Sequence, residues 1–319
     1  MELFDRRNVK DAARYSVARA SYPPRKLMLI HTGCIVLSNV LLMLINALLM
    51  GQMDSTGGLG GMGKRAALAT ALELLMYAQI FLLPFWQMGL SYACLLISRR
   101  EHAGPGSLLQ GLRHLWPVFR MTLLQGLIYL GVGFLATNIA SFVFTFFPQS
   151  ETMMAALSDP NLTEEAMIAA LMPVYPILLS LMALAFIPLF LPIYYRYRMA
   201  SFCLMDAPHM GARAALRRSK FMMYGNRLAL FKLDLSFWWF FALDILVAVL
   251  AYCDSLLPLI GIPLPMGSTF SYYLFFALSS ACQLALYWWK KSDVDVTYAH
   301  VYHVLSQPRQ ETQNTIIDI

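Results

Sequence analysis

Six apolar stretches, each long enough to cross a bilayer as a helix, constrain this chain more than any other feature. They lie at 27–50, 71–98, 118–147, 174–195, 228–251 and 269–289. A hydrocarbon core of about 30 Å needs about 20 helical residues. With 59% apolar and only 13% charged residues, against about 45–50% and about 25% in a soluble domain, the excess cannot hide in one soluble core. The expected fold class is therefore all-α, a polytopic integral membrane protein. The first stretch exceeds the roughly 7–15 residues of a signal-peptide apolar region, so it reads as a retained span. The second and third are long enough to tilt or protrude. Pro84, Pro188 and Pro192 each remove an N–H and crowd the preceding turn, so kinks are expected there.

The cations orient the spans. Counting loops alternately, 22 of the 24 lysines and arginines fall on one side, leaving Lys64 and Arg65 on the other. The positive-inside rule then places both termini in the cytoplasm. The loop at 148–172 suits the outside, with Glu151, Asp159, Glu164 and Glu165 and no basic residue. Within it, Asn161 or Thr163 ahead of the acidic pair reads as the cap of a short helix. The basic residues flank spans and form no groove-sized patch, which argues against nucleic acid as a partner.

The segment GARAALRRSKFMMYGN, 211–226, welds a charged helix onto the fifth stretch. Ala212, Ala215, Leu216, Ser219, Met222 and Met223 share one face, and Arg213, Arg217, Lys220 and Tyr224 the other. That spacing is amphipathic. Such a helix is expected to lie in the headgroup plane, apolar face down, with Arg213, Arg217 and Lys220 meeting anionic headgroups. Gly225 and Asn226 then turn the chain into the span. The Ala-rich face is shallow, so packing against the spans is expected to contribute. Related segments precede the first span (Val9, Ala12, Ala13, Ser16, Val17, Ala20) and the third (Leu108, Leu112, Leu115). The chain thus reads as one membrane domain of three units, each an interfacial helix plus a helical hairpin: 1–98, 99–207 and 208–305. Residues 306–319 read as a disordered cytoplasmic tail.

Motifs for chemistry are few. GGLGGMGKR, 57–65, contains G-x-G-x-x-G and nearly a phosphate-binding loop. No strand precedes it, and Arg65 stands where Ser or Thr would hold magnesium, so it reads as a flexible connector. His300 and His303 are one turn apart but lack an acidic or cysteine partner at ligand spacing, so no metal site is expected. Cys34, Cys94, Cys203, Cys253 and Cys282 show no disulfide or metal-finger spacing. No nucleophile–base pair or carboxylate dyad suggests an enzyme, and no cofactor is implied. Glu73, Lys232 and Asp234 sit near span ends and are expected to reach the interface. Asp244, in FFALDILVAV, lies past the middle of the fifth stretch, where a charge is costly. It reads either as helix-bonding glue, with Gln79, Gln87, Gln125, Asn138 or Gln283 as partner, or as an ion- or solute-handling site.

RYRMASFCLMDAP, then AALRRSKFMMYGNRLALFKLDLSF, then VTYAHVYHVL resemble, in order and spacing, the bacterial domain-of-unknown-function 975 (DUF975) family of integral membrane proteins. The resemblance rests on the last third of the chain, including Tyr197, Met199, Asp206, Pro208, Ser219, Gly225, Asn226, Ser236, Thr297, Ala299 and Tyr302. Trp238, Trp239 and Phe240 replace the family's usual Gly-Trp pair. The resemblance implies a multi-span protein of the bacterial cell membrane and no known activity. The expected role is a non-enzymatic scaffold or accessory subunit that contacts the bilayer and leaves room for a membrane-protein partner. The alternative is a small-solute or ion transporter built around Asp244.

Overall fold

The structure, a computed structural model, describes residues 5–55, 62–158, 172, 174–254, 257 and 268–307. Of the connector expected at 57–65, residues 57–61 lie outside the described residues, as do the expected cap near Asn161 and Thr163 and 308–319 of the tail, whereas 62–65 are helical, the first turn of a helix that begins at Met62. Among the described residues every regular element is helical. In order they are α1 (Arg6–Ala18), α2 (Pro24–Ser55), α3 (Met62–Ser98), a 3-10 turn (Pro105–Leu109) and α4 (Gln110–Arg113). Then come α5 (Leu115–Phe144), α6 (Gln149–Ser158), α7 (Val174–Tyr197), α8 (Ala200–Asp206) and a second 3-10 turn (Pro208–Met210). The last third holds α9 (Gly211–Met222), α10 (Arg227–Leu235), α11 (Trp238–Leu250), α12 (Ser268–Leu286), a π segment (Tyr287–Lys291) and α13 (Ser292–Ser306).

Among the described residues, four helices are long and apolar enough to cross a membrane: Pro24–Leu49, Leu115–Phe144, Val174–Asp206 and Phe270–Ser306. Counting α10 and α11 as one broken span gives five. The second stretch lies in a continuous 37-residue helix, α3, whose described apolar part is Leu82–Ser98. The helices run unbroken through Pro84, Pro188 and Pro192. The fifth stretch, expected as one span, is bent by 68° between α10 and α11. The Ser236 hydroxyl bonds the Leu233 carbonyl, competing with the helical ladder there. Phe237 and Phe240 are meanwhile held in the core.

In sequence-adjacent pairs, α2 packs on α3, α5 on α7 and α11 on α12. The common core is gathered at one end of these pairs, hereafter the base. Its buried residues include the beginning of α2 (Leu27, Met28), the end of α3 (Leu90, Ala93, Cys94, Leu95, Ile97), the beginning of α5 (Val118, Met121) and the end of α7 (Tyr195). Into this ring fit α1, α8, α9, α10 and α13. Farther along the helices, large side chains such as Leu48, Leu130, Phe134, Leu184 and Ile245 are exposed. Hydrocarbon, unlike water, imposes no cost on them.

One expectation changes at the base. The segment before the third span is not a continuous amphipathic helix. It is a 3-10 turn and one helical turn, broken at His114, with Leu108 buried but Leu115 exposed. Close backbone contact decides this: a Cβ on Gly89 would stand 1.8 Å from the Leu108 carbonyl oxygen, and one on Gly111 2.0 Å from that of Phe85. After the sixth stretch the chain stays with the protein, as the unit boundary at 305 requires. It continues as α13, whose Val294, Val296, Tyr298, Ala299, Val301 and Tyr302 are buried against α1 and α3.

Candidate functional site

The base is fastened by two carboxylates. Asp206, the last residue of α8, accepts the Tyr302 hydroxyl at 2.7 Å and pairs with the Arg99 guanidinium. Burial works against the charge of Arg99, but the Asp206 carboxylate overrides it and holds the guanidinium above its ordinary pKa. The ends of α3 and α8 and the middle of α13 meet at this point. Hydrogen bonds to an ionised oxygen are the strong kind.

Asp234 of α10 is the second carboxylate. It accepts the Tyr195 and Tyr298 hydroxyls, both at 2.7 Å. Its carboxylate turns into the base, where the two phenols satisfy it. Arg198 lies beside this trio. Its guanidinium sits 4.5 Å from the Tyr298 ring centroid and 5.1 Å from that of Tyr194, and it donates to the Tyr194 hydroxyl. Tyr298 and Tyr302 are four residues apart on one face of α13, each serving a different carboxylate.

Next to Arg198 is a polar cavity of about 50 Å³, lined by Gln87, Ser91, Cys94, Ser201, Asp295 and Tyr298 among others. Asp295 Oδ2 is buried without a hydrogen bond; the Lys291 ammonium stands 3.6 Å away, an ion pair rather than a hydrogen bond. Lys291 ends the π segment, a helical defect that recurs where helices are adapted to function. At its other end, Tyr287 lies beside Asp244 and accepts from Gln283 at 3.3 Å. Asp244 Oδ1 remains buried and without a partner, as do both ring nitrogens of His31. Of the partners expected for Asp244, Gln283 bonds the neighbouring Tyr287 hydroxyl, while Asn138 bonds the Phe134 carbonyl.

The basic helix α9 buries Ala212, Ala215, Leu216, Ser219 and Met222 against α8, α5 and α7. Its Ala-rich face therefore meets protein, not the headgroup plane; a shallow face packs best against other helices. Arg213, Arg217 and Lys220 are exposed. The remaining motif residues are joints. The Ser219 hydroxyl bonds the Arg196 carbonyl at 3.1 Å. The Asn226 amide bonds the Met222 carbonyl at 2.9 Å, satisfying a helix-end acceptor. Gly225 has φ +81°, the left-handed conformation that costs a side chain energy.

Arg99, Tyr195, Arg198, Tyr287, Tyr298 and Tyr302 carry these networks, yet their roles were not read from the sequence. The available signal was a Tyr-x-x-x-Tyr pair in a segment too apolar for a solvated tail. Among the described residues no group of three or more His, Cys, Asp or Glu is placed to hold a metal ion.

Long apolar helices joined at a tightly packed base define an all-helical membrane protein. The profile of the family described as "Protein of unknown function (DUF975)" matches residues 26–276, and the chain belongs to that family. The match extends well before the last third that carries the motif resemblance, and it stops short of Thr297, Ala299 and Tyr302. The chain matches no curated protein and no solved structure.

Proposed function

We propose that this chain is a non-enzymatic scaffold or accessory subunit of the bacterial cell membrane. It crosses the bilayer six times, in the hairpins α2/α3, α5/α7 and α11/α12, with both termini and the base on the cytoplasmic side. Arg213, Arg217 and Lys220 face anionic headgroups, and the exposed apolar spans face lipid or a membrane-protein partner. No cofactor, metal or nucleic acid enters this reading. The observation that carries it is the concentration of the core in the base, while the spans present apolar faces outward. The base holds the hairpins in a fixed arrangement that a partner can use.

The test is topological. Single cysteines at Ser158 and Gln307, in a chain whose five native cysteines are replaced by alanine, are treated with a membrane-impermeant maleimide. Intact cells should label Ser158→Cys, whereas Gln307→Cys should label only after permeabilisation. The reverse pattern overturns the orientation.

The second reading is a small-solute or ion transporter. It is favoured by Asp244 Oδ1 and Asp295 Oδ2, both buried without hydrogen bonds on opposite sides of the π segment. Intramembrane carboxylates commonly mark ion or proton pathways. A pH-dependent flux in liposomes that Asp244→Asn abolishes would establish it; no flux in the native protein counts against it.

A further inference from the structure

Burial of the Ala-rich face leaves the opposite face of α9 to be explained. Phe221 is 82% exposed and Tyr224 77%; across the Gly225 turn, Leu228 is 71% exposed. Arg217 and Lys220 are exposed beside them. The spacing 217, 220, 221 and 224 puts four of these residues on one face of the helix and its last turn. Leu228 carries the stripe into α10, where Leu235 continues it and the exposed Trp238 begins α11.

We infer that Arg217, Lys220, Phe221, Tyr224 and Leu228 form an interfacial anchor for anionic phospholipid. The rings and Leu228 enter the boundary between headgroups and acyl chains, and the two cations hold phosphates. The inference rests on the proposal that the base lies at the membrane surface, and it reverses which face of α9 meets lipid. Three observations select this occupant. Single exposed apolar residues are ordinary, but large apolar groups clustered beside cations have the composition of an interfacial helix. The stripe is continuous with the exposed face of a broken span, so it borders the hydrocarbon. Between Asp206 and Asp234 the chain has no acidic residue but has Arg213, Arg217, Arg218, Lys220, Arg227 and Lys232, a charge that anionic headgroups complement. Long basic side chains bury their stems while keeping the charge among the headgroups.

The experiment uses the full chain in liposomes, with native cysteines replaced by alanine and an environment-sensitive fluorophore on Phe221→Cys or, as a control, Leu184→Cys on α7. Vesicles contain brominated phosphatidylcholine, with or without phosphatidylglycerol. The Leu184 probe should be quenched in both. The Phe221 probe should be quenched best by bromines near the headgroup, and more strongly with phosphatidylglycerol. Replacing Arg217 and Lys220 by glutamine should lower that added quenching by about two-fold or more, since cations near an anionic surface supply the added attraction. A quenched Leu184 probe with an unquenched Phe221 probe overturns the anchor alone and points to water or a protein partner at this face. If neither probe is quenched, the membrane placement falls as well. Quenching of Phe221 that ignores both phosphatidylglycerol and the two substitutions overturns the selection of anionic lipid.

Discussion

Asp244 is a carboxyl that lies beside Tyr287 and has one oxygen, Oδ1, buried without a hydrogen bond. As glue between α11 and the π segment, it needs only to accept the phenol. Asp244→Asn keeps a carbonyl oxygen for Tyr287 and should leave the detergent melting temperature nearly unchanged. Asp244→Leu removes the acceptor and should cost about 1 kcal/mol, the usual scale of such bonds between membrane helices. A loss in Asp244→Asn as large as in Asp244→Leu would mean that the carboxyl serves Oδ1 through a group or water that an amide cannot replace. At this scale the sequence was half legible. It isolated Asp244 because a charge amid FFALDILVAV is costly anywhere in hydrocarbon. It missed Tyr287 because an aromatic in an apolar run looks the same whether it packs or bonds. The partners of Asp234 were missed for a related reason: only the fold reveals that Tyr195 and Tyr298 converge on it.

Helix pairs with no side chain between them are sensitive in a different way. Gly111 of α4 and Gly89 of α3 let two backbones touch where any Cβ would collide with a carbonyl. Gly111→Ala should destabilise the protein by about 1–3 kcal/mol, the usual cost of forcing extra volume into a packed site. Gly126→Ala on α5, where nothing lies within 4 Å of the added carbon, should be close to neutral. Equal melting temperatures for the two variants would show that the contact yields easily. The contact also explains why one interfacial segment was misread. Periodicity of Leu108, Leu112 and Leu115 suggested an amphipathic helix, but backbone proximity at two glycines leaves no periodic trace. For α9, burial of one Ala-rich face and exposure of Arg213, Arg217 and Lys220 follow the helical wheel. The surface that covers the Ala-rich face does not follow from it, because a wheel separates faces without identifying what each meets.

The whole molecule locates its cohesion at the base, and that location makes a quantitative demand. Leu204 of α8 is fully buried where α8 meets α3 and α9, whereas Leu184 on α7 is among the exposed apolar residues. Shortening Leu204 to alanine should cost about 2–5 kcal/mol, because lost contacts and a residual cavity add. Leu184→Ala trades one lipid-facing alkyl group for a smaller one and should stay within about 0.5 kcal/mol, as expected away from packed sites. Apolar length and positive charge in the sequence pointed to spans, and all-helical elements with several long apolar helices follow. They did not point to the base, since a core made from helix ends and short polar helices looks, residue by residue, like loops. Thermal unfolding of both variants in the same detergent measures the difference. A loss for Leu204→Ala no greater than for Leu184→Ala would move the cohesion into the spans, and the base would then be a consequence of span packing instead of its cause. A large loss confined to Leu204→Ala, with all three hairpins unfolding in one transition, is what a base shared by every hairpin requires.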